Sequence, residues 1–141
     1  MKSKTIYQIL TLILVSSVFL SCQKEKLDID LESNRWRVVK LKLNDNSSFK
    51  RADDTYFLEF LSDTSFLLIL DVNGCYLNYE SIQHGNIEVT SGLFCTKVCC
   101  DSDYAEKIKK LMPLMTKYYG KGKKLFFEGE GKIVLEPDNN S

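Results

Sequence analysis

The chain has 141 residues, 44% of them hydrophobic and 27% charged, and its 19 basic and 19 acidic residues give a net charge of zero. This length and composition predict a single globular domain. The balanced charge excludes the strongly basic surface through which proteins bind nucleic acid, so we expect no nucleic-acid partner.

The N-terminus has the pattern of an exported protein. Lys2 and Lys4 precede an apolar run, 9–20, that is shorter than the about 20 apolar residues needed to span a bilayer. The sequence Phe19-Leu20-Ser21-Cys22 then resembles the lipobox of bacterial lipoproteins, in which the cysteine is lipidated and becomes the first residue. We interpret residues 1–21 as a lipoprotein signal peptide. Most lipoboxes have an aliphatic residue where Phe19 stands, so ordinary signal-peptidase cleavage and an uncleaved anchor are the alternatives.

Lipidation at Cys22 predicts a membrane-anchored protein of the bacterial envelope, because two acyl chains already give stable anchoring. Gln23 replaces the Asp that retains enteric lipoproteins in the inner membrane, so we expect the outer membrane, on its periplasmic or its surface-facing side. Residues 22–32 are polar enough to form a lipidated tether, and 138–141 a disordered tail. With Cys22 lipidated, four of the five cysteines remain, and an even number in an oxidising compartment indicates disulfides.

The mature chain begins with β-strand patterning. Residues 35–43 alternate, which places Val39, Leu41 and Leu43 on one face of a strand, and Trp36 is out of phase with them. Either a bulge turns the indole inward or the indole covers the core from the other face.

Further strands follow, separated by turns. The run 66–70 has no polar alternation, so we expect both of its faces to be covered. Asn73 and Gly74 form the clearest turn, since both tolerate the positive φ of tight hairpins. The pattern predicts these strands after the first: 56–61, 65–70, 75–80, 87–91, 117–120, 123–128 and 132–136.

From residue 103 onward, the apolar residues recur with the spacing of an α-helix. Tyr104, Ile108 and Leu111 share one face of a helix predicted over about 103–115, and Pro113 is expected to end or kink it. Asp103, with Glu106 three residues later, fits a capping box at its start. These patterns predict an α+β fold, mostly antiparallel β, with one packed helix.

Catalytic and metal sites are not indicated. His84 lies in a predicted turn, where a solvated side chain is expected, and no nucleophile motif accompanies it. Cys95, Cys99 and Cys100 lack the paired Cys-x2-Cys halves of a zinc site. Acidic pairs at 53–54 and 101–103 are typical of turns and helix starts. We therefore expect no enzyme activity, no metal and no cofactor.

Five tyrosines in the second half of the chain offer an aromatic binding surface. The more common arrangement for such residues on a small β domain is half-buried packing, and both interpretations stay open. They are Tyr76, Tyr79, Tyr104, Tyr118 and Tyr119.

Several motifs resemble the META domain family, which includes the HslJ-like envelope lipoproteins. Trp36 matches the tryptophan of the family's first strand and Phe60 the aromatic residue of the second. The segment 73–75 (Asn-Gly-Cys) matches the hairpin corner, 96–100 (Thr-Lys-Val-Cys-Cys) the Thr-x-Met-x-Cys segment, and 122–125 the Gly-x-x-Leu strand. Order and spacing agree across about 33–136, so we interpret 33–137 as a META-like domain. Tyr76 replaces the usual Asn, and Val98 the methionine.

The resemblance implies a small barrel-like or curved antiparallel sheet with one helix packed on it. It also implies a disulfide between Cys75 and Cys100, which would join the hairpin corner to the strand before the helix. The thiols of Cys95 and Cys99 are additional to the family pattern and stay unexplained. Four residues apart on one strand, they cannot bond to each other unless the strand breaks, and an alternative is that one of them pairs with Cys75.

The sequence is compatible with three functions. The first is a non-enzymatic envelope lipoprotein that is structural, stress-related or bound to an envelope protein of unknown identity. The second is a binding module for a small apolar ligand or a peptide. The third is a redox or metal-handling protein that uses Cys95, Cys99 and Cys100.

Overall fold

The structure, a computed structural model, describes residue 31 and residues 35–44, 46–82 and 85–138. The signal peptide, Cys22, almost all of the tether, His84 and the last three residues of the chain lie outside the described residues. The interpretations made for them therefore stay predictions.

The described part of the chain is mostly β-strand, with one α-helix between the seventh and the eighth strand. The elements are β1 (Arg35–Lys42), β2 (Lys50–Arg51), β3 (Phe57–Ser62), β4 (Ser65–Ile69), β5 (Gly74–Ile82), β6 (Asn86–Val89), β7 (Phe94–Cys95), α1 (Asp103–Leu111), a 3₁₀ helix (Met112–Leu114), β8 (Met115–Lys121), β9 (Lys124–Gly129) and β10 (Lys132–Pro137).

Eight of these strands form a closed antiparallel barrel. Their order around the barrel is β1, β3, β4, β5, β6, β8, β9 and β10, and β10 pairs back with β1. The two short strands are additions, β2 on β1 and β7 on β5. The mostly antiparallel α+β fold is confirmed, and the sheet is a closed barrel rather than only a curved one. Its thinnest seam joins β6 to β8 through one residue pair, Asn86 and Lys117.

A bulge in β1 decides which of its residues face the core. The pairing of β1 with β10 shifts register between Val38 and Lys40, so Val39 is the extra residue. Trp36, Val38 and Leu41 are buried as a result. The inward indole fits one of the two expected arrangements. The prediction that Val39, Leu41 and Leu43 share one face of a strand is wrong, because the bulge takes Val39 out of phase with Leu41 and the strand ends at Lys42, before the exposed Leu43.

Strand β4 buries one face and leaves the other partly open. Phe66, Leu68 and Leu70 point into the barrel and are at most 5% exposed. Leu67 and Ile69 alternate with them on the outside and are only half-buried. The expectation that both faces would be covered is therefore wrong, since the described helix packs elsewhere.

Helix α1 packs its apolar face into the core near the end of β1. The Tyr104 ring stacks on the Tyr56 ring with centroids 5.4 Å apart, and the Tyr104 hydroxyl donates to the Lys50 carbonyl at 3.0 Å. Ala105 and Ile108 are fully buried. The helix thus belongs to the same core as the barrel strands.

Both ends of the helix differ in detail from the prediction. The α-helix ends at Leu111 and tightens into the 3₁₀ turn, and β8 begins where the helix was expected to end, at Met115. Pro113 is the cause, since it lacks a backbone donor and disfavours helical geometry before it. At the start, Ser102 rather than Asp103 is the N-cap, because its hydroxyl accepts from the Ala105 N–H.

Candidate functional site

The corner of the β4–β5 hairpin is joined to the segment before α1 through the side chain of Asn73, which is 5% exposed. Its Nδ2 donates to the Val98 carbonyl and to Asp101 Oδ2, each at 2.8 Å. Its Oδ1 accepts from the Val98 N–H and from the Thr96 hydroxyl, each at 2.9 Å. Both donor hydrogens and both lone pairs are therefore used. Asn73 fixes the segment 96–101 against the hairpin corner.

The carboxylate of Asp101 extends this network to the helix. It is fully buried, accepts a hydrogen bond from Lys109 Nζ at 3.0 Å, and accepts another from the Val72 N–H at 3.4 Å. Burial opposes its charge, but the hydrogen bonds from Lys109 and Asn73 outweigh burial and lower the pKa of Asp101. A carboxylate held in this way is a poor general base, because efficient bases have a pKa near the working pH.

The cysteine pairing differs from the one expected. Cys75 is bonded to Cys95, which lies directly opposite it on the β5–β7 ladder, with Cα atoms 4.0 Å apart. The expected Cys75–Cys100 disulfide is therefore wrong, and the alternative of a bond from Cys75 to Cys95 or Cys99 is present as Cys75–Cys95. The reason is that β7 ends at Cys95, so Cys100 lies beyond the ladder.

The Cys75–Cys95 disulfide links β5 to β7 and closes a covalent loop of the chain between them. Cys75 is fully buried, and the two residues are 20 positions apart in sequence. In the chain-entropy model, a loop of this length contributes about 3 kcal/mol of stability by restricting the unfolded chain. This disulfide therefore braces the hairpin corner together with Asn73.

The other two described cysteines, Cys99 and Cys100, are bonded to each other. Both are exposed and lie between Val98 and Asp101, the two residues that Asn73 holds. Cys99, for which the sequence offered no role, is thus half of a vicinal disulfide on the surface.

Beside this corner the barrel exposes a group of apolar side chains, which we name the corner face. Leu67 pairs with Tyr76, and Tyr76 with Phe94, so the three side chains form a row across β4, β5 and β7. Tyr76 is 52% and Phe94 65% exposed. Val72 and Val98, next to and bonded to Asn73, are also exposed and complete the corner face.

The five tyrosines do not form one surface. Tyr76 belongs to the corner face, Tyr79 and Tyr104 are buried in the core, and Tyr119 stacks on Phe126 with centroids 5.1 Å apart. Tyr118 packs at 5.8 Å from the Phe127 ring. The half-buried packing is therefore present for Tyr118 and Tyr119, Tyr79 and Tyr104 are buried completely, and only Tyr76 of the five is exposed.

Tyr79 and Tyr118 also line a small cavity. Its volume is about 130 Å³. Three aromatic rings and a leucine contribute apolar walls, and two serines and an aspartate contribute polar ones; the lining residues are Leu31, Phe60, Ser62, Asp63, Tyr79, Ser81 and Tyr118. A larger open groove of about 450 Å³ follows the β6–β8 seam, with Ile87 and Met115 among its lining.

The predicted acidic pairs have local structural partners. Asp53 accepts from the Tyr56 hydroxyl at 2.7 Å, Asp54 accepts from the Thr55 N–H at 2.7 Å, and Asp103 lies in the first turn of α1. Within the described ranges no group of three or more His, Cys, Asp or Glu side chains is placed to hold a metal ion. Of the helices described, none has the length and apolar character needed to cross a membrane.

Sequence reasoning identified Asn73 only as a turn residue and missed Phe94. The adjacent Asn-Gly-Cys letters mark the corner, but they do not show that the amide reaches Val98 across 25 positions. Phe94 lies between the predicted strand 87–91 and the predicted helix, and its outward direction depends on the pairing with β5.

Comparisons with known proteins bear on the fold. No protein-family model matches the chain, and no curated protein matches it. Among solved structures, a protein from Burkholderia xenovorans determined by NMR is similar, with a TM-score of 0.57 and 10% sequence identity. The similarity covers 84% of this chain and 97% of that one. At this identity the likeness concerns the fold alone.

Proposed function

We propose that this chain is a non-enzymatic lipoprotein of the bacterial envelope whose META-like domain, residues 33–137, binds another envelope protein through the corner face. Lipidation of Cys22 anchors it, residues 22–32 form the tether, and the outer membrane is its location. The lipobox resemblance supports the anchor. The order of the META-like motifs supports the domain. The antiparallel barrel with one helix supports it too, since those motifs imply a small barrel-like or curved antiparallel sheet with one packed helix.

The observation that carries the binding role is the exposure of Tyr76 and Phe94 side by side on a fixed backbone. The ladder of β4, β5 and β7, the Cys75–Cys95 disulfide and the Asn73 network hold this backbone in place. A surface that is already ordered loses little conformational entropy on binding. Exposed aromatic side chains are also the residues that most often dominate protein interfaces.

The chemistry of the corner face indicates the kind of partner. The row of Leu67, Tyr76 and Phe94 carries no charge, and Val72 and Val98 extend it without adding one. A partner surface that desolvates this row must itself be apolar and uncharged at its centre, because an unpaired charge buried there is costly. We therefore propose a protein partner with an apolar contact segment.

A crosslinking experiment followed by affinity measurement tests this role. A photo-crosslinking residue at position 94 in the native envelope captures the partner, and binding of the purified partner is then measured for Tyr76→Lys/Phe94→Lys. We expect an affinity loss of about 30-fold or more, since interface hot spots contribute about 2 kcal/mol each. Leu61→Lys/Phe49→Lys, two exposed apolar residues outside the corner face, is the matched control. Equal losses in both variants, or none in the first, count against the proposal.

The anchor has its own test. Cys22→Ala removes the thiol that lipidation requires, so we expect loss of fatty-acid labelling and of membrane association. Unchanged labelling in this variant contradicts the lipoprotein assignment and leaves the binding role of the barrel open.

A non-enzymatic role is proposed because each carboxylate whose pKa is lowered forms an ion pair with a lysine. Asp101 is held by Lys109, Glu128 by Lys117 and Lys132, and Glu136 by Lys124, so all three are acceptors in ion pairs. A broad turnover screen with single side-chain variants tests this. A reproducible activity that one substitution removes overturns it.

The cavity between Phe60, Tyr79 and Tyr118 favours a second function, the binding of a small apolar ligand. Its about 130 Å³ is close to the size of engineered cavities that bind benzene. Calorimetric titration with benzene and indole tests it, with Tyr118→Ala, which enlarges the cavity, as the comparison. No heat of binding for either protein excludes ligands of this class.

A further inference from the structure

We propose that the Cys99–Cys100 pair is a thiol–disulfide exchange site that accepts electrons from an external thiol, and that the Cys75–Cys95 disulfide does not share this reactivity. The inference goes beyond the binding role proposed above and does not depend on it. It rests on the exposure of the pair and on how the chain holds its two ends.

The two disulfides differ in access. Cys99 and Cys100 are both exposed, whereas Cys75 is fully buried and its partner Cys95 is half-buried. Exchange begins with attack of a thiolate on one sulfur, and its rate depends on whether that sulfur can be reached. An external thiol therefore meets the vicinal pair first.

The chain around the vicinal pair is held without the disulfide. Val98 is bonded to Asn73 through both its N–H and its carbonyl, and Asp101 is bonded to Asn73 and Lys109. Ser102 next to it donates its N–H to Asp71 at 2.8 Å. Opening the bond between Cys99 and Cys100 therefore leaves the flanking backbone in place.

The vicinal disulfide also contributes little to restraining the chain. Its two residues are adjacent in sequence, so it closes no loop, whereas Cys75 and Cys95 are 20 positions apart. Since the stabilisation by a disulfide increases with the loop that it closes, reduction of the vicinal pair has little effect on folding. The pair can change oxidation state in a folded protein.

The exchange proceeds in two balanced steps. An external thiolate attacks the sulfur of Cys99 or Cys100, forms a mixed disulfide with it and releases the other cysteine as a thiolate, which takes a proton from water. A second external thiolate then attacks the external sulfur of the mixed disulfide and releases the remaining cysteine. The pair gains two electrons and two protons, and two external thiols become one disulfide.

Reduced glutathione is the probe for the test. The oxidised, full-length protein is incubated with it, quenched in acid, unfolded and tagged with N-ethylmaleimide, and the tags are located by peptide mass spectrometry. We expect a glutathione adduct and then tags on Cys99 and Cys100, formed about tenfold faster or more than tags on Cys75 and Cys95, because the rate follows access. We also expect the same urea midpoint for the oxidised and the two-electron-reduced protein.

Two variants make the result specific. Cys99→Ser/Cys100→Ser should form no adduct in the same time, while Cys75→Ser/Cys95→Ser should still acquire two tags. Equal rates for both disulfides, earlier tagging of Cys75, or tags on Cys99 and Cys100 only when the incubation with glutathione is done in urea that unfolds the protein, each overturn the proposal. Since positions 99 and 100 are exposed, Cys99→Ser/Cys100→Ser leaves the core unchanged and is expected to fold. Its result therefore tests the proposal even if Cys75→Ser/Cys95→Ser is too unstable to be measured.

Discussion

At the scale of single residues, Asn73 forms tertiary hydrogen bonds that its local sequence motif does not predict. Its place before Gly74 and Cys75 correctly indicated a hairpin turn, because asparagine suits turn geometry. The structure adds that the amide has four hydrogen bonds to a segment 23 to 28 positions later. Such partners are set by tertiary packing, and no local pattern encodes them.

We expect Asn73→Ala to destabilise the protein by about 3 kcal/mol, since it removes one hydrogen bond to the buried carboxylate of Asp101 and leaves the Val98 N–H and carbonyl without their side-chain partner. Urea unfolding followed by Trp36 fluorescence measures the change. Asn78→Ala, at an exposed position of strand β5, which begins directly after Asn73, is the control and should change stability by less than about 0.5 kcal/mol. Equal effects of the two substitutions would show that the Asn73 network contributes little.

Glu128 is the residue whose charge should be visible in the pH dependence of stability. Its side chain is 13% exposed and contacts Lys117 Nζ at 2.8 Å, Lys132 Nζ at 2.6 Å and the Tyr119 hydroxyl at 2.8 Å. Burial alone would raise its pKa. The hydrogen bonds from Lys117, Lys132 and Tyr119 outweigh burial and lower the pKa of Glu128 from 4.5 to about 2.

A lowered pKa in the folded state stabilises the fold above the unfolded pKa and loses this effect as the pH falls. For Glu128 the loss runs from pH 4.5 to about pH 2 and amounts to about 3 kcal/mol. Chemical unfolding at a series of pH values should therefore show a steeper decline for the natural protein than for Glu128→Gln. The exposed Glu130→Gln is the control, and a natural-like decline in Glu128→Gln contradicts the prediction.

At the scale of elements, the alternation of hydrophobic residues predicted where the strands lie, but it did not predict the position of the bulge in β1. Both ends of each predicted strand lie within two residues of those present, since alternation and turn residues are local features, but the short strands β2 and β7 were not predicted. The Val39 bulge was anticipated only as one way to turn Trp36 inward. Its position depends on the pairing of β1 with β10, which lies almost 100 residues away.

The disulfides illustrate the same limit. The resemblance implied Cys75–Cys100 from the order of motifs, but strand pairing places Cys95 opposite Cys75. We expect Cys75→Ser/Cys95→Ser to lower the free energy of unfolding by about 3 kcal/mol, because a loop is released in the unfolded chain. Cys99→Ser/Cys100→Ser, the control, should have little effect. Peptide mapping without reduction identifies the pairs directly, and a Cys75–Cys100 peptide contradicts the pairing.

At the scale of the whole molecule, closure of the barrel joins the chain's first and last described strands. Composition and period indicated a mostly antiparallel fold with one helix, and this is confirmed. The pairing of β1 with β10 and the open outer face of β4 could not be predicted from them. The run of five apolar residues at 66–70 has the same sequence pattern whether a helix covers its outer face or solvent reaches that face.

Because α1 shares the barrel core, we expect helix and barrel to unfold together. Ile108 is fully buried in the core, and Trp36, the only tryptophan of the chain, is fully buried in the barrel. Ile108→Ala should cost about 3 kcal/mol through lost packing and the cavity left behind. Circular dichroism of the helix and fluorescence of Trp36 should then shift to the same lower urea midpoint with the slope unchanged. Lys110→Ala, on the exposed side of α1, should move neither signal. If the helical signal of Ile108→Ala is lost at a lower urea concentration than the Trp36 signal, the helix is a separate unit and the single core proposed for this barrel is wrong.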